Sequence, residues 1–405
     1  MTAPRAGLAA GAAALLLVAA CAAFAWPAGS PLVPRHGGHP VGDRAWAWAF
    51  LGCAAAALVL YAAGSWLLRG GGPLLPVAVL AVAIQLAPLA APLLLSTDAW
   101  TYWDEGRIAA VHGGNPYRDA PSAYRGDPAF RWTGTGWRDT GAVYGPAFTL
   151  AAEPVALAAG RSHDAAAWIY KTLAAAAALV AAGLAARLSR RPAHALAFVG
   201  WNPLLAIHLA GGGHNDAWMA ALVLAALWLG PRGSRQWAGA AWAVAILVKW
   251  VPLLFLPLRA LEARETGRRV GHAGFAAAAV AILGVASWRY GSGWLDAFGP
   301  LARNANLETS FAIPHRLTQL GLPRPAALGL CAAGFALAYL WLLREAARGR
   351  ARLGLAAGLL LLALPYLAAW YVVWAVPLAA AEDDEPAQWL ALALCAYLLR
   401  QTIPL

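Results

Sequence analysis

Residues 74–95 read LLPVAVLAVAIQLAPLAAPLLL, and residues 96–107 continue STDAWTYWDEGR. The first stretch matches the roughly 20 apolar residues that a helix needs to cross hydrocarbon. Its prolines fit, because membrane helices tolerate residues that break soluble ones. The second stretch sets Asp98 at the edge of that helix, where lipid gives way to water, with Trp100, Tyr102 and Trp103 around it. This joint predicts an all-α, polytopic transmembrane bundle in which polar chemistry begins at Asp98.

The same pattern recurs along the chain. Other apolar runs lie near 6–26, 45–68, 142–159, 164–186, 194–210, 215–230, 236–258, 271–289, 325–343, 353–380 and 386–403. The 405 residues are 61% hydrophobic and 12% charged, about half the charged share of a soluble domain, and the mean hydropathy is +0.58. Strand-like alternation is absent, which argues against a β-barrel. A net charge of +11 would suggest nucleic acid in a soluble protein. Here the basic residues fall between apolar runs and are explained by topology, so no nucleic-acid partner is expected. Cys21, Cys53, Cys331 and Cys395 each sit inside an apolar run and read as small buried hydrophobes. Arg5 followed by apolar residues 8–26 reads as an uncleaved first helix rather than a signal peptide, since more spans follow.

Arginine clusters decide orientation. They occur at Arg187/Arg190/Arg191, Arg232/Arg235, Arg259/Arg264/Arg268/Arg269 and Arg344/Arg348/Arg350/Arg352. All four lie in the cytoplasm, as positive residues prefer, only if three runs do not cross simply. Run 142–159 must dip and return to the outside. Run 236–258 must be a broken hairpin with its tip at Lys249-Trp250-Val251-Pro252, and run 353–380 another with its tip near Pro365-Tyr366. Broken helices at membrane depth must be packed in protein or line a wet cavity, so this topology implies a polar cavity on the outer face. The expected organisation is one membrane domain over 1–405: N-terminal helices in 1–95, an outer catalytic loop in 96–141, and the remaining helices in 142–405. A second outward loop is expected at 290–324, containing Arg303, Asn304, Asn306, Glu308, His315 and Arg316. The acidic run Glu382-Asp383-Asp384-Glu385 falls inside, where acids contribute little to orientation.

Four constellations carry chemistry. Asp98, with Asp104 and Glu105 close behind, places carboxylates at the membrane edge, where partial desolvation favours a raised pKa and a general-base role. A solvated loop with interfacial aromatics would look the same. Gly211-Gly212-Gly213-His214-Asn215-Asp216 forms an outer turn; a helix cap accounts for Asn215 or Asp216, but not for His214 beside them. The cluster has too few ligands for a metal site. Lys249 stands alone in an apolar run, either facing a lipid phosphate or acidic side chain or snorkelling to the interface. Trp370-Tyr371-Val372-Val373-Trp374 is an aromatic platform or an interfacial belt.

In order, Asp98…Tyr102…Gly106-Arg107…Asn115-Pro116-Tyr117, Tyr144-Gly145-Pro146, Trp201-Asn202-Pro203, Gly213-His214-Asn215-Asp216, Lys249 and Trp370-Tyr371…Trp374 form a set that resembles GT-C glycosyltransferases. It is most similar to the actinobacterial polyprenol-phosphomannose-dependent α-1,6-mannosyltransferases, from about residue 74 to residue 380. The resemblance implies a first large outer loop that begins with a catalytic aspartate, matched by Asp98, and a lipid-linked sugar phosphate donor. It makes Tyr102, Asp104, Glu105, Arg107, Asn115, Tyr117, Tyr144, His214, Asn215, Asp216, Lys249, Trp370 and Tyr371 candidate substrate-binding residues. Thr97 stands where the family often has Arg, and Trp100 fills the nearby aromatic position, which leaves the sugar and acceptor open.

The expected activity is an inverting transfer of a hexose, mannose favoured, from a polyprenyl-phosphate sugar to a glycan or lipid-linked acceptor. It would occur at the extracytoplasmic face of the cell membrane, among membrane lipids. The leaving group is already a phosphate that Lys249 could hold, so no metal or other cofactor is expected. The competing readings are a transporter or flippase for a lipid-linked or small polar solute, and a non-catalytic partner of a glycan-building complex. No internal repeat and one dominant early loop argue against transport.

Overall fold

The computed structural model describes residues 2–35, 40–268, 270–304 and 307–405. Arg269 and Asn306, both named above, lie outside the described residues. Among the described residues the chain is helical, without strands. The helices are α1 Ala3–Ala23, α2 Arg44–Leu67, α3 Leu74–Leu86, α4 Asp98–Ala110, α5 Pro146–Ala159, α6 His163–Leu188, α7 Pro192–Gly200, α8 Pro203–Ala206 and α9 Asp216–Leu229. They continue as α10 Arg235–Val248, α11 Phe255–Glu265, α12 His272–Tyr290, α13 Phe298–Asn304, α14 Ile313–Gln319, α15 Arg324–Ala346, α16 Leu353–Ala363, α17 Val376–Ala381 and α18 Glu385–Leu398.

Among the described residues, five helical stretches are long and apolar enough to cross a bilayer: Ala3–Ala23, Arg44–Leu67, His163–Leu188, His272–Arg303 and Arg324–Ala346. The run 74–95 expected to cross is shorter, α3 giving way at Leu86 to a 3-10 turn over Ala87–Ala90. The run expected at 194–210 as a plain span is instead bent by 45° between Pro192–Gly200 and Pro203–Gly211. Asn202 explains the bend. Its side chain accepts from Leu204 N and Leu205 N and starts a new helix before Pro203. The carbonyls freed by the break find buried donors, as Tyr61 Oη donates to Phe198 O and Gln85 Nε2 to Gly200 O.

The arginine clusters gather at one end, where the acidic run 382–385 ties two of them and Arg69 together. Ser189 Oγ and Arg190 N donate to the Asp383 carboxylate at 2.6 and 2.7 Å. Arg352 grips Asp384 with two bonds of 2.7 and 2.8 Å, the fork geometry that makes arginine pairs strong. Arg69 reaches Glu385 at 2.8 Å. The sequence reading gave these acids no structural part, because their partners are remote in the chain.

Both expected hairpins form. Leu353 N and Gly354 N donate to Glu382 at 2.7 and 2.9 Å, which joins the start of α16 to the end of α17. The turn between them passes through Pro365 and Tyr366. In the other hairpin, Arg235 at the start of α10 and Arg268 beyond α11 line one cavity, so its two ends share the basic end of the bundle. Its chain reverses at Lys249, which is extended (φ −153°, ψ 133°), and at a 3-10 turn over Val251–Leu254 that contains Pro252. The returning arm leans on α15, where Tyr339 Oη donates to Leu254 O at 2.7 Å.

Run 142–159 also behaves as expected. Tyr117 Oη donates to Tyr144 O just before α5, and Arg107 Nη1 donates to Gly160 O just after it. Both ends of α5 therefore touch the 96–141 loop, and the helix does not cross. Loop 96–141, the 211–216 turn and both hairpin tips meet at the end opposite the arginines.

Candidate active site

Asp98 is presented by a tense, well-anchored turn. Leu95 holds φ +61°, a left-handed backbone that a branched side chain rarely adopts. Leu94 N donates to Gly211 O at 3.0 Å and Leu95 N to Leu32 O at 2.9 Å. Upstream, buried Lys171 donates to the carbonyls of Leu89, Ala91 and Pro92. That side chain was not among the expected site residues. Its only sequence signal was a lone lysine in an apolar run, the same signal that drew attention to Lys249.

Asp98 Oδ2 lies 3.2 Å from His214 Nδ1 and accepts from Tyr102 Oη at 3.4 Å. Tyr144 Oη continues the chain to Tyr102 Oη at 3.4 Å. His214 is fully buried and stacks on Trp370, ring centroids 3.7 Å apart and planes 11° from parallel. Gly213 makes the turn possible: its φ is +74°, and a Cβ there would press on Ala99 and Lys171. The helix-cap reading of Asn215 and Asp216 does not hold. Asn215 occupies the N-cap position of α9 without a side-chain cap bond, and both polar atoms of its buried amide lack partners among the described residues.

Asp216 instead holds Lys249. Its Oδ1 accepts from Lys249 Nζ at 2.6 Å and from Trp374 Nε1 at 2.6 Å, while Oδ2 has no partner among the described residues. The ammonium lies 4.9 Å from the Tyr371 ring, 5.5 Å from Trp374 and 5.7 Å from Tyr144, an aromatic cage that attracts a cation. Gly145 allows this approach, since a Cβ there would overlap the Leu247 carbonyl at the end of α10. Asp216 is 0% exposed, whereas the Asp98 and Lys249 side chains keep 17% and 15% exposure. The carboxylate and the ammonium are therefore the charged groups a substrate could reach.

The electrostatics of Asp98 reverse the expectation of a raised pKa. Burial does push the carboxyl up, but His214, Lys249 and the Ser96 hydroxyl together outweigh it and hold it below the usual aspartate range. The missing information was the cation set, which arrives from distant parts of the chain.

Four expected binding residues, Asp104, Arg107, Asn115 and Tyr117, lie in the interior of the loop rather than beside Asp98, whereas Glu105 is buried within reach of the Asp98 charge. Arg107 pairs with Asp127 through bonds of 2.8 and 2.9 Å, and Asp127 also takes His112 Nε2 at 2.7 Å. Asp104 accepts from Thr133 Oγ1 at 2.5 Å, and burial raises its pKa to about 6. Glu105 is buried, and burial, with Asp104 and Asp98 nearby, pushes its carboxyl well above the usual range. Asn115 ties the loop to Tyr290 O at 2.8 Å. Tyr117 Oη donates to Thr149 Oγ1 at 2.9 Å. The structure thus gives these side chains partners or burial that build the loop. His208 is a residue the sequence reading missed. It sits in a π-helical turn over Ile207–Gly211, buried, with Nδ1 unpartnered among the described residues and its ring 5.9 Å from Trp370. A π turn has no sequence signature, though such turns frequent functional sites. Among the described residues, no group of three or more His, Cys, Asp or Glu side chains converges as metal ligands would.

Residues 5–264 match the family model described as "Alpha-(1->6)-mannopyranosyltransferase, N-terminal domain". The chain belongs to this mannopyranosyltransferase family. The matched segment contains Asp98, His214, Asp216 and Lys249, while Trp370 and Trp374 lie beyond it. A protein of Mycolicibacterium smegmatis named "Probable alpha-(1->6)-mannopyranosyltransferase" is 29% identical over 358 residues, covering 72% of this chain and 62% of the relative. A Mycobacterium tuberculosis alpha-(1->6)-mannopyranosyltransferase is 27% identical over 383 residues, covering 73% and 64%. The alpha-(1->6)-mannopyranosyltransferase A of the same organism is 34% identical over 212 residues, covering 48% and 40%. The chain thus spans under two thirds of the length of each of these family members. No solved structure matches it.

Proposed function

We propose that the chain is a membrane mannosyltransferase that moves mannose from a polyprenyl-phosphate donor to a glycan or lipid-linked acceptor with inversion. Family membership supports the transfer of mannose. The observation that carries the mechanism is the partly exposed carboxylate of Asp98 within the field of the partly exposed ammonium of Lys249.

In this reading Asp98 takes the proton of an acceptor hydroxyl as that oxygen attacks the anomeric carbon. The bond from that carbon to the phosphate oxygen breaks, and the departing phosphate carries the electron pair. Lys249, fixed by Asp216, neutralises the charge that develops there. A lowered pKa keeps Asp98 ionised throughout the physiological range, ready to accept the proton. His214 Nδ1 stands 3.2 Å from the carboxylate, and Trp370 and Tyr371 offer ring faces suited to a sugar. The extracytoplasmic side follows from the positive-inside rule, because the arginines occupy the opposite end.

The test is transfer of label from radiolabelled polyprenyl-phosphate mannose by membranes containing the protein. Label should enter an α-linked product, and other polyprenyl-phosphate hexoses should compete poorly. Movement of a labelled lipid or solute across the membrane without a new glycosidic bond would replace this reading with transport.

A further inference from the structure

A cavity of about 680 Å³ lies at the basic end, between the arms of the α10/α11 hairpin and the start of α12. Arg235, Arg268 and His272 are exposed at its rim. Arg259 sits deeper, its side chain 23% exposed and paired with Glu262. Among the described residues, neither Arg235 nor Arg268 has a carboxylate partner to balance it. Guanidinium groups gathered round one hollow repel each other unless an anion sits between them. Below the rim the walls turn apolar, with Trp242, Leu256 and Phe275.

The rim is fixed by close backbone packing. A Cβ on Gly239 would overlap the Gly271 carbonyl, one on Gly271 the Arg235 carbonyl, and one on Gly274 the Gln236 carbonyl. Gly274 N also donates to Gln236 Oε1 at 2.7 Å. The α10/α12 crossing therefore holds Arg235 and His272 in place, so the basic rim is built and not the chance meeting of two loops.

We propose that this cavity binds the phosphate headgroup of an anionic membrane lipid, with the upper part of an acyl chain lying on Trp242, Leu256 and Phe275. The arginine forks suit phosphate oxygens, and basic pockets between membrane helices take such headgroups. A soluble anion would engage the rim and leave the apolar walls wet, whereas an amphiphile uses both. The site is separate from Asp98 and does not depend on the transfer reaction.

The experiment is native mass spectrometry of the full chain in detergent, titrated with phosphatidylglycerol or phosphatidylcholine, alongside thermal unfolding in inorganic phosphate. Phosphatidylglycerol should bind at least about tenfold more tightly, and the Arg235→Gln/Arg268→Gln variant should lose about 10- to 100-fold in that affinity, as charge-assisted bonds are removed. Ala260→Trp, which fills the wall and keeps every charge, should block the lipid while the protein still unfolds cooperatively. Equal binding of the two lipids, unchanged in the arginine variant, would reduce the site to an apolar groove and overturn the proposal. Stabilisation by inorganic phosphate that matches phosphatidylglycerol and survives Ala260→Trp would overturn it in favour of a soluble anion.

Discussion

Lys249 and Asp216 share a 2.6 Å ion pair in which the lysine faces the pocket and the aspartate is wholly buried. Removing the lysine alone strands a buried charge, and breaking such a pair typically costs about 3–5 kcal/mol. Lys249→Ala is therefore expected to lower the unfolding temperature as well as donor affinity. Lys249→Ala with Asp216→Asn should recover most of the stability and none of the affinity. Thermal unfolding and donor titration of both variants check this. Full donor affinity in the double variant would remove Lys249 from the donor site.

Asp98→Asn keeps the shape of the side chain and removes the proposed base. Turnover should fall by about 10²–10⁴, with donor binding little changed. Transfer by an unchanged amount of folded protein is the measurement.

His214 is expected to act through Asp98, so its effect belongs in the pH profile. His214 and Lys249 favour the ionised carboxylate, which places the acid limb of activity below the ordinary aspartate value of about 3.9. His214→Gln removes part of that pull, raises the carboxyl pKa, and should move the acid limb to higher pH. A limb unmoved by His214→Gln would leave the histidine with packing alone.

Asp104 makes the opposite kind of prediction. Burial raises its folded pKa to about 6 from the ordinary aspartate value of 3.8. The folded state thus holds a proton that the unfolded chain releases between those values. Its stabilising effect is complete below the lower value and is lost as pH rises through about 6. Asp104→Asn should become progressively more stable relative to the parent between pH 4 and pH 7, read by chemical denaturation across that range.

For topology, the four cysteines are first replaced by alanine. Asp139→Cys should then react with an impermeant thiol reagent from outside intact cells, and Arg268→Cys only after the membrane is opened. Labelling of position 268 from outside would invert the orientation.

Much of the fold was readable because its signals are local. Pro252 and Pro365 mark hairpin tips, and arginines mark one end. The site was readable where one residue type is out of place: Asp98 at a membrane edge, His214 in a glycine turn, Lys249 in an apolar run. What was hidden depends on pairs. Nothing near Arg107 says that Asp127 will take its donors, and nothing near Asp98 says that His214 and Lys249 will lower its pKa. The 382–385 acids look idle until the arginines of three other segments arrive.

The two hairpins are fastened at the basic end and reach the candidate site with their tips, so their arms act as rulers. Each helical residue advances about 1.5 Å and turns about 100°. Deleting one residue inside α10 would leave Arg235 where it is and swing Lys249 off the axis to Asp216. The same deletion in the middle of α15, whose apolar window is only 11% buried, would be absorbed as a change of tilt in lipid. Insertions and deletions should therefore be tolerated on the lipid-facing helices and rejected between Arg235 and Lys249, even where every side chain around Asp98 is left intact.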